Sequence, residues 1–277
     1  MPELPEVETM VRTLRPHVEG RTFGPPTVLR DSAIGLPDPS DFCRLLTGQS
    51  AVAVSRRGKY ILITLGAGGL LIVHLRMTGQ IAFFAPDTAP APHTRVVIPL
   101  DSGQDLHYID QRTFGKLYLL PDSDVSRLEG LATLGPEPLA AAFTTAGFRQ
   151  ALGRTSRPIK SALLDQTVVA GIGNIYADEA LFRAAIHPAT PARSLRPAQT
   201  RRLHEAIRQV LSDGIAHRGT TFRHFRNAEG EQGGHQAHLA VYGRSGEPCP
   251  TCGESLQRLV LSGRSSHFCP HCQPQIS

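Results

Sequence analysis

The chain has 277 residues, with 29 Lys or Arg and 24 Asp or Glu, and its formal charge is +5. At about 150 residues per domain, this length predicts two domains whose cores need no disulfide support. A hydrophobic content of 40% with 19% charged residues excludes a largely disordered chain. The longest apolar run, residues 139–143, is too short to span a bilayer, and the N-terminus is acidic where a signal peptide would be basic. We therefore expect a cytoplasmic protein.

The charge is unevenly distributed along the chain. Residues 1–140 carry 13 basic and 15 acidic side chains, whereas residues 141–277 carry 16 basic and 9 acidic ones, so the two halves have net charges of −2 and +7. A basic second half indicates a polyanionic partner, and nucleic acid is the first candidate.

The first predicted elements in chain order are one helix and a series of strands. Val7, Met10, Val11 and Leu14 recur at helical spacing and predict an amphipathic helix that begins near Pro5. Short apolar or alternating runs follow, separated by turn residues at the spacing of a β-sandwich. These runs are residues 61–65, 70–75, 80–84, 96–100, 106–109 and 116–120.

The second half has a helical pattern, and the predicted domain boundary lies within residues 130–138. One face of a long helix is apolar, formed by Leu203, Ile207, Val210, Leu211 and Ile215. Residues 225–238 are polar and glycine-rich, which is typical of a mobile loop. The predicted divisions are an N-terminal β-domain (1–135), a helical domain (136–224), this loop (225–238) and a cysteine-rich segment (239–277).

Two cysteine pairs form the strongest local pattern. Sixteen residues separate the first pair, Cys249 and Cys252, from the second pair, Cys269 and Cys272. Two such thiolate pairs supply four ligands for tetrahedral Zn²⁺, and a site closed by four cysteines is structural. A redox dithiol or two disulfides are the alternatives, and a reducing compartment does not favour either. Cys43 is left over and is expected to be an ordinary half-buried thiol.

The N-terminus, Met1-Pro2-Glu3-Leu4-Pro5-Glu6, is the second pattern. Removal of Met1 would expose the secondary amine of Pro2, a nucleophile that forms an iminium with an aldehyde-like carbon. Glu3 beside it could serve as a general acid or base. The alternative is that the prolines and glutamates only begin a helix and complement its dipole.

Taken together, the sequence resembles the formamidopyrimidine-DNA glycosylase family, which includes endonuclease VIII. The resemblance extends over nearly the whole chain and rests on seven ordered blocks and the cysteines. The blocks are PELPEVET, RRGKY (56–60), HLRMTG (74–79), residues 110–115, LGPEPL (134–139), GIGNIY (171–176) and VYGR (241–244). It implies an α+β fold: an N-terminal β-sandwich with a leading helix, a helix-two-turns-helix domain and a β-hairpin zinc finger holding one structural Zn²⁺.

The resemblance also implies site residues. Pro2 and Glu3 would be catalytic, with Lys59 assisting β-elimination and Arg264 the second elimination. Met77, Arg112 and Phe114 would fill the gap left by a flipped nucleotide, and Arg112 would also read the unpaired cytosine. The alternative, that Met77 and Phe114 are core residues, is not favoured by the turn residues beside them. The remaining implied DNA contacts are His74, His93, Lys160, Asn174 and Tyr242.

The implied function is a bifunctional glycosylase and AP lyase that excises oxidised purines from duplex DNA. Leu4 favours this purine branch, because endonuclease VIII proteins usually carry Gly there. The enzyme would be a bacterial monomer that works at the nucleoid. Thr113 stands where many relatives have arginine and His235 where an aromatic residue is usual, and these two departures bear on lesion preference. The alternatives are an endonuclease VIII-like enzyme for oxidised pyrimidines, a non-catalytic zinc-finger DNA-binding protein and an RNA-binding or ribosome-associated zinc protein.

Overall fold

The computed structural model describes residues 1–221 and 225–275. Its backbone contacts divide the chain into two compact units. Of the described residues, the first contains residues 1–132, 217–221 and 225–234, and the second contains residues 133–216 and 235–275. In the part of the chain that is described, no helix combines the length and apolar character that crossing a membrane requires.

The first unit consists of a leading helix and two β-sheets. Its described helices are α1 (Leu4–Val18), α2 (Pro39–Leu46) and the short α3 (Glu129–Ala132). Its described strands are β1 (Thr27–Val28), β2 (Ile34–Leu36), β3 (Ala51–Arg57), β4 (Tyr60–Leu65), β5 (Leu70–His74), β6 (Gly79–Phe84), β7 (Thr94–Leu100), β8 (Gln104–Asp110) and β9 (Lys116–Leu120).

The two sheets enclose the core of this unit. One has the order β2-β9-β5-β4-β3 and the other the order β1-β7-β8-β6. Alternate residues of β4 and β7 are buried, and Met10 and Leu14 of α1 belong to the same apolar cluster as Ile63 and Ile98. Burying the alternating face is what makes these runs strands rather than helices. The predicted β-sandwich with a leading helix is confirmed.

Residues 217–221 and 225–234 belong to the first unit, which corrects the predicted limits of the helical domain and of the loop. The backbone N–H of Thr220 donates to the Glu6 carboxylate at 2.7 Å, and that of Ala228 donates to Thr13 Oγ at 3.1 Å. Ala228 lies in the apolar core of the unit. Residues 235–238 form a 3₁₀ helix in the second unit, so the predicted loop 225–238 is divided. The predicted boundary at residue 224 lies outside the described residues.

The second unit contains helices and one hairpin. Its described α-helices are α4 (Thr145–Gly153), α5 (Ile159–Leu163), α6 (Asn174–Arg183) and α7 (Pro197–Ala216), and the hairpin pairs β10 (Gln257–Leu261) with β11 (Arg264–Phe268). The predicted apolar face of α7 is buried at Leu203, Ile207, Val210 and Leu211 and half-buried at Ile215. On the same helix Gly214 is required, because a Cβ there would lie 2.6 Å from the Tyr176 ring.

A buried ion pair connects α5, α6 and the hairpin. Lys160 Nζ lies 2.7 Å from Asp178 Oδ1, and both side chains are at most 1% exposed. The other carboxylate oxygen accepts the backbone N–H of His267 at 2.9 Å and its ring Nδ1–H at 3.0 Å. Lys160 also donates to the carbonyl of Ser265. Each buried charge is therefore paired, which is the condition under which burial is tolerated.

We predict that Asp178→Ala destabilises the second unit by about 3–5 kcal/mol, because the change leaves the Lys160 ammonium buried without its counter-ion. Asp213→Ala is the matched control, since the Asp213 carboxylate and Arg183 form an exposed pair 3.8 Å apart, and such a pair contributes about 1 kcal/mol or less. Urea unfolding of both variants measures the difference. Equal destabilisation by the two changes would contradict the role given to the buried pair.

Candidate functional site

The start of α1 holds the two N-terminal candidates in a defined arrangement. Pro2 is buried and Glu3, 3% exposed, is the N-cap of the helix. Glu3 and Glu6 form a capping box, in which each side chain accepts the other residue's backbone N–H, at 2.8 Å for Glu3 N to Glu6 Oε2. The second oxygen of Glu6 accepts the Thr220 N–H. Glu6 thus fixes the conformation of the residues around Pro2, a role that the sequence analysis did not assign.

Lys59 and His74 lie close together where β4 begins and β5 ends. Lys59 follows Gly58 in the turn between β3 and β4, and only 6% of it is exposed. His74 ends β5, packs edge-on against Tyr60 and accepts the Arg76 N–H at Nδ1. Burial, with the positive charges of Arg76 and Lys59, lowers the pKa of His74 to about 3. His74 is therefore neutral at pH 7 and carries its proton on Nε2, a donor suited to a phosphate oxygen.

Met77, Arg112 and Phe114 form one exposed group at two loop tips. Met77 is 44% exposed and Phe114 is 50% exposed, so the alternative that they are core residues is wrong. Arg112 Nη1 lies 3.2 Å from Met77 Sδ, and the guanidinium carbon lies 4.6 Å from the centre of the Phe114 ring. A thioether, a guanidinium and a ring stacked in this way make a wedge of both apolar and hydrogen-bonding character.

His93 and Arg95 contact the base of the Arg112 loop. His93 is exposed, has a left-handed φ of 72°, and accepts the Asp110 N–H at its carbonyl. Arg95 Nε donates to the Asp110 carbonyl at 2.8 Å. Arg95 was missed in the sequence because a lone arginine in an alternating strand has no distinguishing pattern.

In the second unit, the turn before α6 presents Asn174. Gly171 has a φ of 86°, its N–H donates to Gln166 Oε1, and the Gln166 amide donates to the Ile172 carbonyl. Asn174 is the first residue of α6 and is half-buried, and its Oδ1 has no hydrogen-bond partner among residues 1–221 and 225–275. Backbone N–H groups at the start of a helix favour anions such as phosphate.

Tyr242 is held in place by Glu179, which the sequence analysis also missed. Glu179 accepts the backbone N–H groups of Ala240, Val241 and Tyr242 at 2.8–2.9 Å. Burial raises its pKa, although the three N–H donors oppose that shift. The half-buried Tyr242 ring packs edge-on against His267 at 5.0 Å. Two adjacent acids on α6, Asp178 and Glu179, therefore fix different parts of the cysteine-rich segment.

Lys160 and Arg264 have opposite environments. Lys160 is buried with its ammonium on Asp178, so direct DNA contact by Lys160 stays a prediction that its burial does not favour. Arg264 is exposed at the tip of the hairpin, next to a turn in which Ser262 and Gly263 both have positive φ. Two residues of positive φ are the signature of a tight hairpin turn that keeps the strand twist.

The four cysteines of the zinc motif converge on one point. All four sulfur atoms lie within 4.8 Å of one another, with Cys249 and Cys272 at 3.9 Å and Cys252 and Cys269 at 3.5 Å. A tetrahedral Zn²⁺ with bonds of about 2.3 Å needs sulfur–sulfur distances of about 3.8 Å. The backbone N–H groups of Thr251 and Cys272 point at the sulfurs of Cys249 and Cys269. The residues fit one structural zinc ion, as predicted.

Comparison with known proteins identifies the family. The formamidopyrimidine-DNA glycosylase N-terminal domain matches residues 1–117, the corresponding H2TH domain matches residues 134–226, and a zinc finger found in FPG and IleRS matches residues 246–275. Formamidopyrimidine-DNA glycosylases of Chloroflexus aurantiacus and Moorella thermoacetica are 45% and 50% identical to this chain, over 99% and 94% of it and 98% and 94% of their own lengths.

Solved structures agree with this assignment. The MutM (Fpg) protein of Thermus thermophilus has a TM-score of 0.90 at 44% identity, with all of both chains covered. Lactococcus lactis Fpg bound to DNA containing an abasic site has a TM-score of 0.91 at 35% identity, covering 99% of this chain and 100% of that one. The fold and site define a zinc-containing DNA-repair enzyme, and the chain belongs to the formamidopyrimidine-DNA glycosylase family. It is a DNA glycosylase that acts on damaged DNA.

We predict one zinc ion per chain, lost in Cys269→Ala and retained in Cys43→Ala, because the Cys43 thiol lies outside the cluster. Metal analysis of the purified variants measures this. Removing zinc from the parent protein with a chelator should abolish DNA binding while the first unit stays folded, because the metal stabilises only the finger. A zinc-free preparation that binds abasic DNA with unchanged affinity would contradict the prediction.

Proposed function

We propose that the protein is a bifunctional glycosylase and AP lyase that excises oxidised purines, with the amine of Pro2 as nucleophile. The observation that carries the proposal is the pairing of Pro2 and Glu3 at the buried, Glu6-braced start of α1, in a chain of this family. Removal of Met1 is required, because the nitrogen of an internal proline is an amide without a basic lone pair.

The first step replaces the base by the enzyme. The lone pair of the Pro2 amine forms a bond to C1′ of the damaged nucleotide, and the base leaves with the electrons of the glycosidic bond. The nitrogen then loses its N–H proton to the departing base anion, Glu3 donates a proton to the sugar ring oxygen, and the ring opens as the freed nitrogen lone pair forms an iminium at C1′. The same proline nitrogen thereby displaces the base and holds the sugar as a covalent, electrophilic iminium.

The iminium then drives two eliminations. It acidifies the C2′–H bond, and loss of that proton expels the 3′ phosphate. Lys59, beside the neutral His74, is proposed to assist this proton transfer. A second proton loss, from C4′, expels the 5′ phosphate, and Arg264 at the hairpin tip is proposed to assist by hydrogen-bonding that phosphate and neutralising its charge. Hydrolysis of the remaining iminium releases the sugar fragment and restores the amine.

The other candidate residues are proposed to hold the DNA. His74 and His93 in the first unit, and Asn174 and Tyr242 in the second, present donors that suit the phosphate backbone. Met77, Arg112 and Phe114 are proposed to enter the stack when the nucleotide is flipped out, an event that costs a few kcal/mol. Since its substrate is chromosomal, the enzyme is proposed to work at the nucleoid.

The oxidised-purine substrate is supported by the relatives. Lactococcus lactis Fpg, 35% identical with a TM-score of 0.91, has been solved with DNA containing Fapy-dG, a ring-opened guanine. Leu4 in the opening motif supports the same branch. Excision of 8-oxoguanine and formamidopyrimidines is therefore proposed, and efficient excision of oxidised pyrimidines alone would instead favour the endonuclease VIII-like alternative.

Borohydride reduction traps the proposed iminium as a covalent protein–DNA adduct. We predict that Pro2→Gly weakens trapping on abasic duplex DNA and that protein retaining Met1 gives none. Pro5→Ala is the matched control, because Pro5 lies in the first turn of the same helix and should trap like the parent. Efficient trapping by protein shown by mass spectrometry to keep Met1 would refute Pro2 as the nucleophile.

No trapping by correctly processed protein would favour a non-catalytic DNA-binding protein, and preferential RNA binding would favour the RNA-binding alternative.

Arg112 generates a second prediction. If its guanidinium donates to the unpaired base, cytosine offers O2 and N3 as acceptors in one plane, whereas adenine offers N1 beside an amino donor. Excision of 8-oxoguanine opposite C should exceed that opposite A by roughly tenfold to a hundredfold. Arg112→Ala should flatten this ratio and slow excision, whereas Arg127→Ala, which removes an exposed arginine of the same unit, should leave it unchanged. Single-turnover excision measures both, and an unchanged ratio in Arg112→Ala would exclude the reading role.

A further inference from the structure

Two loops of the first unit share one buried carboxylate. Asp110 ends β8 and is fully buried. Its Oδ1 accepts the Thr78 hydroxyl at 2.5 Å and the Arg112 N–H at 3.2 Å. Its Oδ2 accepts the Gly115 N–H at 2.8 Å and lies 3.4 Å from the Tyr108 hydroxyl. One carboxylate therefore accepts hydrogen bonds from the loop that carries Met77 and from the loop that carries Arg112 and Phe114.

Thr78 completes the connection between the loops. Its hydroxyl donates to Asp110 and accepts the Arg112 N–H at 3.1 Å. Thr78 follows Met77 directly, and Arg112 is in the wedge itself. The hydrogen bonds through Thr78 Oγ therefore join the Met77 loop to the Arg112 loop at their bases, while the side chains above them stay exposed.

The backbone of both loops needs this support. Arg76 and Thr113 have left-handed φ values of 51° and 57°, which are unfavourable for residues with a Cβ. A Cβ on Gly79 would lie 2.9 Å from the Tyr108 hydroxyl, and one on Gly115 would overlap that hydroxyl. The loops are therefore held in an unfavourable conformation by close backbone packing and by the Asp110 hydrogen bonds.

We propose that Asp110 and Thr78 are positioning residues that lock Met77, Arg112 and Phe114 into a single wedge and so determine discrimination of the base opposite the lesion. This rests on the proposed function, because it assigns the wedge its role in DNA. Neither residue needs to touch DNA. Without the lock, each loop would insert its side chain independently, and Arg112 would lose its fixed orientation toward the unpaired base.

The test uses Thr78→Val, which removes the hydroxyl and keeps the shape of the side chain. In single-turnover excision, the ratio of rates opposite C and opposite A should fall about tenfold, as for one lost hydrogen bond to a charged group. Thr78→Ser keeps the hydroxyl and should restore the ratio to within about twofold. Thr94→Val is the matched control. The buried Thr94 hydroxyl has no hydrogen-bond partner in the described part of the same unit, so the ratio should not change.

Trapping on two abasic substrates distinguishes loss of the positioning role from a general loss of activity in the variant. A single-stranded abasic oligonucleotide has no stack to fill, so Thr78→Val should trap it as well as the parent does, whereas trapping on the duplex should fall. A parent-like C-to-A ratio in Thr78→Val would overturn the proposal, as would equal losses on single-stranded and duplex DNA. Failure of the parent protein to trap either substrate is a different result and would refute the proposed function.

Discussion

The segments that carry the candidate site residues depend on one kind of interaction. In it, a buried carboxylate accepts hydrogen bonds from backbone N–H groups. Glu6 binds the N–H groups of Glu3 and Thr220, and Asp110 binds those of Arg112 and Gly115. In the second unit, Asp178 binds the His267 N–H and Glu179 binds those of residues 240–242. Each of these acids lies within a segment of regular structure, and each bonded N–H belongs to a cap, loop or hairpin close to a candidate site residue.

The reason for this arrangement is that exposed side chains of the candidate site cannot be held by burial. Met77, Phe114 and Arg264 are exposed, so their own packing contributes little to fixing their positions. A hydrogen bond to a charged group contributes about 1.5–3 kcal/mol, and two or three on one carboxylate offset the cost of desolvating it. The segments that carry the candidate site residues are thereby held by acids beneath them, while the zinc site is expected to stabilise the hairpin.

Much of this protein could be predicted from its sequence where a residue pattern is repeated or chemically distinctive. The alternating runs predicted strands β4–β9 to within a few residues, and the cysteine spacing predicted the metal site. Strands β1, β2 and β3 were not predicted. The first two have only two and three residues and so show no alternation, and β3 ends in the polar residues Ser55, Arg56 and Arg57. The four anchoring acids were missed as anchors because a single Asp or Glu looks alike whether it is solvated or buried, and only tertiary contacts distinguish the two. Burial likewise shows Lys160 as an internal ion-pair partner, which the resemblance to the family did not indicate.

Amide hydrogen exchange in the native state tests the central claim most directly. The account predicts that the amides of Arg112, Gly115, Thr220 and Tyr242 are protected like amides of the neighbouring strands. In Asp110→Asn, only Arg112, Gly115 and the residues around them should lose protection, while Thr220 and Tyr242 keep theirs on Glu6 and Glu179. Exchange of these four amides in the parent protein at the rates of an unfolded chain would contradict the claim that buried carboxylates hold the functional loops.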